Sequence, residues 1–498
     1  MSAPGAVVDP RGDGGSLPGI SARTEKLIHA ALLLALLLIV ATAVTRVQAT
    51  VTLGAVTFGL ILVAARRQLL AWPTLLGLIV LVIILVPVKR YTLGGGFPFQ
   101  LEPYRVLIAG ISFLWIASLM ADPATKLRRT GLELPILLFG IAVIGSLITN
   151  VDRASSLSGD VLRNLSTWIG FFLLMYFAAG AIRTRRQLDL TLMVLVGACT
   201  LVGFTAILEA RTGQNYFNGL ERVIPVLDFD PGSTVAPSER GGGIRAYGSA
   251  QHAIPLGALL VMMLPFAFYL FQRTGRKEWI GAGLVLIMGA LSTTSRTAVV
   301  MLIVIGLVFF WLKRKAVIRY LPWLPVALVV IQVAMPGTLG TFRAIFFPEQ
   351  GLIAEEQEGE GTGTGRVADI GPSLQEWGRQ PFFGQGFGTR LTSQFDRLQN
   401  ARILDDQWLA SLLEVGMIGV AALVWMIVRA IRRLKRFAKH DDSDYGWLLT
   451  GFAAAIYAFA IGMITYDAFP FIQVTFALFL LLGLSAAALR LRGRDTAL

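Results

Sequence analysis

Long apolar runs recur along almost the entire chain, and they restrict the possible folds more than any other feature of the sequence. Of the 498 residues, 55% are hydrophobic and only 15% are charged, whereas soluble domains carry about 25% charged residues. No water-soluble core buries that much apolar sequence, so a lipid bilayer is the expected solvent. Because backbone groups in lipid must bond within the protein, and these runs are too long for barrel strands, the sequence predicts an all-α, polytopic transmembrane helical bundle.

About 14 of these runs are long and apolar enough to predict helices that cross the bilayer, which takes roughly 20 residues. They cover residues 27–44, 51–65, 69–88, 106–119, 134–148, 165–182, 188–208, 254–271, 279–291, 297–312, 320–335, 408–428, 447–464 and 471–489. Residues 1–22 are rich in Gly and Pro and are predicted to form a disordered cytoplasmic tail. Residues 23–498 are predicted to form the transmembrane domain.

The basic residues stand in short clusters between the apolar runs, which is typical of topology signals. A net charge of +13 in a soluble protein would suggest a nucleic-acid partner, but this distribution does not. If the N-terminus is cytoplasmic, nearly every cluster lies on the cytoplasmic side, and the pair Lys89 and Arg90 is the exception. The chain is therefore predicted to span the bacterial inner (plasma) membrane many times, with both termini cytoplasmic and the lipid bilayer, not nucleic acid, as its partner.

Two connections on the predicted extracytoplasmic side are long, residues 209–253 and 336–407, and long loops are usually functional or disordered. In the second loop, residues 355–365 are acidic and Gly-rich, so we expect them to be mobile. Four apolar residues then follow at spacings of 3, 4 and 3, namely Val367, Ile370, Leu374 and Trp377. This spacing predicts a short amphipathic helix that lies on the membrane surface.

Arg296 lies in the tip STTSR between two short apolar runs. Helices of that length extend about 20–24 Å, so the tip is predicted to lie below the outer membrane surface. An arginine at this depth is costly unless it is paired or lies in a wet cavity. Arg296 is then either a snorkelling residue at a helix end or an anion ligand, because a guanidinium fork matches phosphate oxygens.

Arg245 and His252 stand in the segment GGGIRAYGSAQHAIPLG, just before the run 254–271. The three glycines at its start allow the backbone to approach another group closely. His252 is the one histidine of the sequence on the predicted outer face. A lone loop histidine is more often structural than catalytic, and both interpretations stay open here.

Carboxylates gather at the start of the run 408–428, where Arg402, Asp405 and Asp406 precede it. Acidic residues at a helix N-terminus favour capping and the helix dipole, but a carboxylate in this place is also suited to act as a general base toward a hydroxyl. Glu414 lies about two turns into the run. An ionisable residue inside a membrane segment is a functional candidate by default.

Cofactor and metal sites are not predicted from this sequence. Its single cysteine, Cys199, lies in an apolar run, which excludes an internal disulfide and a cysteine-based metal site. The sequence also contains no motif typical of haem, zinc or ATPase sites. We therefore expect neither a cofactor nor a metal.

Five short motifs resemble the O-antigen ligase/polymerase family in their order along residues 245–420. They are RAYGSAQH (245–252), TSRTAV (294–299), GR (365–366), WGRQPFFGQGFG (377–388) and DDQWLASLLEVGMIGV (405–420). The resemblance implies a metal-independent membrane glycosyltransferase of polysaccharide biosynthesis in the cell envelope. Such an enzyme moves a glycan from an undecaprenyl-pyrophosphate carrier to a hydroxyl of a glycan or lipid acceptor on the extracytoplasmic face.

The resemblance also implies roles for the residues that bind the carrier and move the proton. Arg245 and Arg296 match the arginines that hold the carrier pyrophosphate, and Arg366 is predicted to assist them. Asp405 stands where ligases commonly carry a histidine proposed as the base, so Asp405 is predicted to deprotonate the acceptor, with His252 as the second candidate.

Supporting roles fall on the residues that follow Asp405. Asp406 matches a common asparagine, and Glu414 with Gly416 matches the ExG motif of the family. Two other functions remain open: a multi-pass transporter or flippase for a polysaccharide precursor or small solute, and a scaffold without activity. Transporters usually have repeated halves and helices broken near the bilayer midplane, whereas here the candidate residues gather at outer helix ends.

Overall fold

The computed structural model describes residues 71–93, 102–122, 125–233, 239–240, 243–334, 370–390 and 404–495, together with the single residues 340, 343 and 346. Several predictions fall outside these ranges. They concern the tail 1–22, the spans 27–44 and 51–65, most of the loop 336–407, and the candidate Arg366.

Helices form nearly all of the described structure. In chain order they are α1 (Trp72–Leu85), α2 (Pro103–Ala121), α3 (Glu133–Thr149), α4 (Val151–Ser156), α5 (Ser158–Ala181), α6 (Arg185–Thr212), α7 (Ala253–Thr274), α8 (Glu278–Ser292), α9 (Arg296–Leu312), α10 (Arg314–Tyr320), α11 (Leu324–Ala334), α12 (Ile370–Trp377), α13 (Gln407–Ala438), α14 (Asp444–Gly462) and α15 (Ile472–Asp495). Within the described ranges, each predicted span overlaps a helix. The all-α membrane fold is therefore confirmed. Helix α12 covers Ile370, Leu374 and Trp377 of the predicted short helix, and its position on the membrane surface stays a prediction.

The predicted count of about 14 crossing helices is not confirmed. Seven of the described helices are long and apolar enough to cross a membrane: α2, α5, α6, α7, α13, α14 and α15. Four further apolar helices, α1, α3, α8 and α9, have 10–17 residues. Apolar composition alone does not separate a full crossing from a shorter helix whose end is buried inside the protein.

Local signals explain where several helices begin and end. Proline stands in the first turn of α1 and of α2, where its missing N–H costs nothing. Thr184 and Gln187 form a capping box at the start of α6, which ends at Gly213 with φ 71°. Left-handed backbone at a helix end favours glycine, so the chain turns there without strain.

The centre of the bundle is its last helix, α15, because 94% of its apolar stretch is buried. It packs against α5, where the Phe171 and Phe479 rings stack with centroids 5.3 Å apart. By contrast only 28% of α2 is buried, and Phe113 and Met120 on it are 72% and 86% exposed. A helix that is apolar all round belongs in a core or in lipid, which fits a bundle whose outer helices face the bilayer.

One end of the bundle gathers basic side chains, and we call it the basic end. Arg273 bridges Asp189 at 3.4 Å and Asp444 at 3.1 Å. Lys313 pairs with Asp442 at 3.1 Å, and Arg429 donates to the Gly131 carbonyl at 2.5 Å. These are the basic clusters that the sequence assigns to the cytoplasmic side, so this orientation remains the prediction.

The connections at the opposite end interlock, and we call this the loop end. Strand β1 (Tyr91–Leu93) pairs antiparallel with β2 (Leu227–Phe229), and β3 (Glu239–Arg240) pairs with β4 (Gly243–Ile244). The Gln407 amide donates to the Met463 carbonyl at 2.8 Å, and the Ile472 amide donates to Gln251 Oε1 at 2.9 Å. Segments that lie far apart in the sequence thus meet at one end of the bundle.

Candidate functional site

The segment 245–252, which carries Arg245 and His252, is held in place by a buried arginine. Arg90 is only 2% exposed and donates to the Gly248 carbonyl at 2.7 Å and to the Ala250 carbonyl. Burial lowers the pKa of Arg90 to about 10, so it stays cationic at neutral pH. In the sequence Arg90 stood out only as an exception among the topology signals, and its structural role explains that exception.

The amide groups of the same segment are held by Glu209 at the end of α6. Its carboxylate accepts from the Gly248 amide at 2.8 Å and from the Tyr247 amide at 3.4 Å. Asn215 donates to the same carboxylate at 3.0 Å. The segment is therefore held by two side chains, because Arg90 donates to its carbonyl groups and Glu209 accepts from its amide groups. Sequence reasoning missed Glu209, since it looked like an ordinary charge that ends an apolar run.

The turn between α8 and α9 lies against this segment. The Ala246 amide donates to the Ser292 carbonyl at 3.2 Å, so the chain next to Arg245 contacts the turn that leads to Arg296. Arg296 is only 9% exposed, and its neighbour Thr297 shares a hydrogen bond of 2.8 Å with Thr465. This burial inside the protein disfavours the snorkelling interpretation, in which the side chain follows the lipid surface to water.

His252 caps the N-terminus of α7. Its Nδ1 accepts from the Ile254 amide at 3.3 Å, and its ring stacks on Phe471 with centroids 6.2 Å apart. Burial and the neighbouring Arg245 lower the pKa of His252 to about 4, against an opposing effect of Asp405. The ring is therefore neutral at neutral pH, and because Nδ1 accepts, its proton is on Nε2. In this state His252 is a hydrogen-bond donor.

The depressed pKa of His252 makes stability depend on pH. Because the folded pKa of about 4 lies below the ordinary 6.5, the unfolded chain takes up the proton first as the pH falls. The contribution of neutral His252 to the free energy of unfolding is complete above pH 6.5 and is lost as the pH falls toward 4. We expect the His252→Asn variant, which keeps a capping oxygen, to lose thermal stability less steeply than the wild type over this range. Parallel unfolding curves in detergent would contradict this expectation.

The two adjacent aspartates before α13 have different surroundings. Asp406 is the N-cap, and its Oδ1 accepts from the Trp408 amide at 2.8 Å and from the Leu409 amide at 3.1 Å. The capping interpretation therefore applies to Asp406. Asp405 does not cap the helix, and its charge acts on both His252 and Asp467.

Helix α13 is broken at Gly416, which has φ 65° and ψ −171°. The loop 381–388 fills the break. Its Gln385 amide donates to the Leu413 carbonyl at 2.8 Å, and the Met417 amide donates to the Pro381 carbonyl at 2.9 Å. The loop thus satisfies these backbone groups of the break, as a membrane environment requires. The sequence showed this loop only as a turn and gave no sign of the break.

A cavity of about 140 Å³ lies beside the break. Its wall contains aromatic and polar side chains of α3, α5, the segment 381–390, α13 and the turn 463–471. Trp168, Phe387, Arg390, Glu414 and Asp467 are among them. Arg390 pairs with Glu376 of α12 at 2.9 Å. Sequence reasoning identified Glu414 but missed Asp467, whose partners are distant in the sequence.

Asp467 lies in an electrostatic environment that favours its neutral form. Burial, reinforced by the charges of Glu414 and Asp405, raises the pKa of Asp467 well above its usual range, although Arg390 opposes the shift. The candidate side chains at the loop end fall into two groups by charge. We call Arg245 and Arg296 the cationic pole, and we call Asp405, Glu414 and Asp467 the acidic pole. Among the described residues, no group of three or more His, Cys, Asp or Glu side chains is arranged to hold a metal ion.

The chain was also compared with known proteins. The family model described as O-antigen ligase matches residues 281–424. No curated protein matches the chain. The matched segment includes Arg296, Asp405 and Glu414, whereas Arg245 and His252 precede it. This match confirms the resemblance that the motifs predicted, because residues 281–424 are similar to the family described as O-antigen ligase.

Proposed function

We propose that this protein is a membrane glycosyltransferase of the ligase or polymerase type. It moves a glycan from an undecaprenyl-pyrophosphate carrier to a hydroxyl of a glycan or lipid acceptor on the extracytoplasmic face of the inner membrane. The observation that carries the proposal is the meeting of the two arginine segments. The Ala246 amide bonds to the Ser292 carbonyl at 3.2 Å, at the end of the bundle opposite the basic end, and the charges of Arg245 and Asp405 both act on His252.

In this proposal the cationic pole binds the leaving group. Negative charge builds on the pyrophosphate as its bond to the anomeric carbon breaks. Fixed guanidinium groups in a water-poor site stabilise that charge without reorganising. Arg245 and Arg296 would hold the pyrophosphate, His252 would donate through Nε2–H, and Arg366, which lies outside the described residues, would assist.

The acceptor is activated at the acidic pole. Asp405 is the proposed base, because Asp406 serves as the helix cap and the charge of Asp405 acts on both His252 and Asp467. The Asp405 carboxylate takes the proton of the acceptor hydroxyl while that oxygen bonds to the anomeric carbon. The bond from this carbon to the pyrophosphate oxygen breaks, and the pyrophosphate leaves with the electron pair.

The break in α13 is the one observation that favours a transporter, because transporters use discontinuous helices to bind solutes and ions. In those sites the exposed backbone groups at the break contact the substrate. Here the loop 381–388 occupies the break, and Gln385 and Pro381 bond to its backbone. These backbone groups of the break therefore bond to the loop and not to a solute, which favours the enzyme over the transporter.

Glycan transfer in proteoliposomes that contain the lipid-linked donor and an acceptor tests the proposed base. We expect Asp405→Asn to lower the transfer rate at least ~100-fold, the usual contribution of a general base. The matched control is Asp406→Asn, which keeps the cap because asparagine is an equally good N-cap, and it should stay near the wild-type rate. Equal rates for wild type and Asp405→Asn would rule out Asp405 as the base.

A further inference from the structure

The mechanism above uses Asp405 of the acidic pole but gives no role to Glu414, Asp467 or the cavity beside the break in α13 that these two residues line. We infer that this cavity binds one sugar ring of the glycan substrate, with Trp168 against the face of the ring and Asp467 and Glu414 bound to its hydroxyls. The inference rests on the proposed function, since it names the chemical class that this part of the site recognises. Three properties of the cavity support it: size, wall chemistry and position.

The size of the cavity fits a single ring. A cavity of roughly 150 Å³ in another protein holds one benzene molecule, and this cavity measures about 140 Å³. Pockets for drug-sized ligands are larger, about 300–1,000 Å³. The cavity is therefore too small for a polyprenyl chain or an entire repeat unit, and it suits one six-membered ring that enters from a longer chain.

The polar wall offers acceptors for hydroxyl groups. Asp467 Oδ1 is buried and has no hydrogen-bond partner among the described residues, which is costly unless a ligand supplies a donor. Glu414, on the neighbouring helix, lines the same cavity. The side chain of Gln407 is already engaged, since it donates to Ser411 at 3.1 Å and accepts from the Phe469 amide at 2.6 Å. Asp467 Oδ1 is thus a buried polar atom of the wall without a partner among the described residues, and we assign Asp467, together with Glu414, to the sugar hydroxyls.

The apolar part of the cavity wall includes aromatic side chains. Trp168 lies against Phe469 with centroids 4.8 Å apart and against Phe387 with centroids 6.4 Å apart. It is only partly buried and lines the cavity. An aromatic face is electron-rich and attracts positively polarised hydrogens, which the C–H groups of a pyranose ring provide. The cavity thus has carboxyl groups on one side and an indole on the other, which match the hydroxyl groups and the C–H faces of a sugar ring.

The cavity adjoins the proposed base, because Leu404 and Gln407, which flank Asp405 and Asp406 in the chain, both line it. A ring held here would therefore lie next to the reacting hydroxyl. The bound sugar ring belongs either to the acceptor glycan or to the first sugars of the donor. Separate measurements for acceptor and donor distinguish these two sources.

The test measures KM for acceptor and for donor in proteoliposomes for Asp467→Asn and Trp168→Leu. The acceptor probe is the oligosaccharide released by mild acid from the surface polysaccharide of the source strain. We expect at least a tenfold rise in one KM, with a smaller change in kcat, and the affected substrate identifies the ring. Asp152→Asn, an exposed acidic residue next to the same end, is the control.

Binding of the same oligosaccharide to detergent-purified protein, measured by titration calorimetry, separates this inference from the proposed function. If wild type transfers glycan but both variants keep the wild-type KM for both substrates, the cavity is not a sugar subsite and the proposed function still stands. If wild type transfers no glycan, loss of oligosaccharide binding in Asp467→Asn still supports the subsite, and unchanged binding overturns it. Unfolding temperatures show whether each variant is folded.

Discussion

Replacing either arginine of the cationic pole by alanine is expected to lower glycan transfer at least ~100-fold, the effect of removing one donor that stabilises developing negative charge. Arg296 is 9% exposed, so water does not replace its guanidinium easily. Arg245 lies on the segment that Arg90 and Glu209 hold rigid. Burial thus holds the Arg296 side chain in place and these bonds hold the backbone near Arg245 before the substrate binds, so the loss of either arginine should lower kcat more than it raises KM.

The rate measurement needs two comparisons. Arg222→Ala removes an exposed arginine at the same end of the bundle and should transfer glycan at the wild-type rate. Arg296→Lys keeps the charge but not the planar fork that matches phosphate oxygens, so we expect a loss smaller than that of Arg296→Ala. If folded Arg245→Ala and Arg296→Ala proteins transferred glycan as fast as Arg222→Ala, the pyrophosphate role of this pole would be wrong.

Gly416→Ala is expected to prevent stable folding. Gly416 has φ 65°, a conformation that costs other residues about 1–3 kcal/mol. An added Cβ would also lie 2.3 Å from the Phe382 carbonyl oxygen and 2.6 Å from the Phe383 nitrogen. Neither backbone atom can move away without breaking the hydrogen bonds that join the loop 381–388 to α13, so the loop and the helix would have to separate.

Unfolding temperature and purification yield in detergent measure this effect. The control is Gly140→Ala, since a Cβ at Gly140 in α3 would meet nothing within 4 Å. In a helix this substitution should be neutral or stabilise by up to about 1 kcal/mol. A Gly416→Ala protein as stable as Gly140→Ala would contradict the described geometry of the break.

The helices could be predicted from the sequence because lipid forces the backbone of each apolar run to bond internally. The run 254–271, for example, corresponds to α7 (Ala253–Thr274). The break at Gly416 could not be predicted in this way. Hydrophobicity continues unchanged through it, and its hydrogen bonds involve Pro381 and Gln385, which lie on a loop that precedes α13 in the chain. Only the ExG resemblance drew attention to this glycine.

Part of the candidate site could be predicted from the sequence, because some of its residues stand in recognisable motifs and others do not. Unusual residues in motifs, such as Arg245, Arg296 and Asp405, stood out by themselves. Arg90, Glu209 and Asp467 did not, because each is a single charge beside an apolar run. What gives them a role is a contact across the fold, for example the bond from Arg90 to Gly248, 158 positions along the chain.

The central claim is that Arg245 and Arg296 bind a membrane-anchored diphosphate, and direct binding of undecaprenyl pyrophosphate to the purified protein tests it best. Thermophoresis in detergent would compare wild type, Arg222→Ala and the double variant Arg245→Ala with Arg296→Ala. We predict saturable binding to the first two and at least a tenfold weaker Kd for the double variant, equivalent to about 1.4 kcal/mol or more. Equal Kd values for all three folded proteins would contradict the claim.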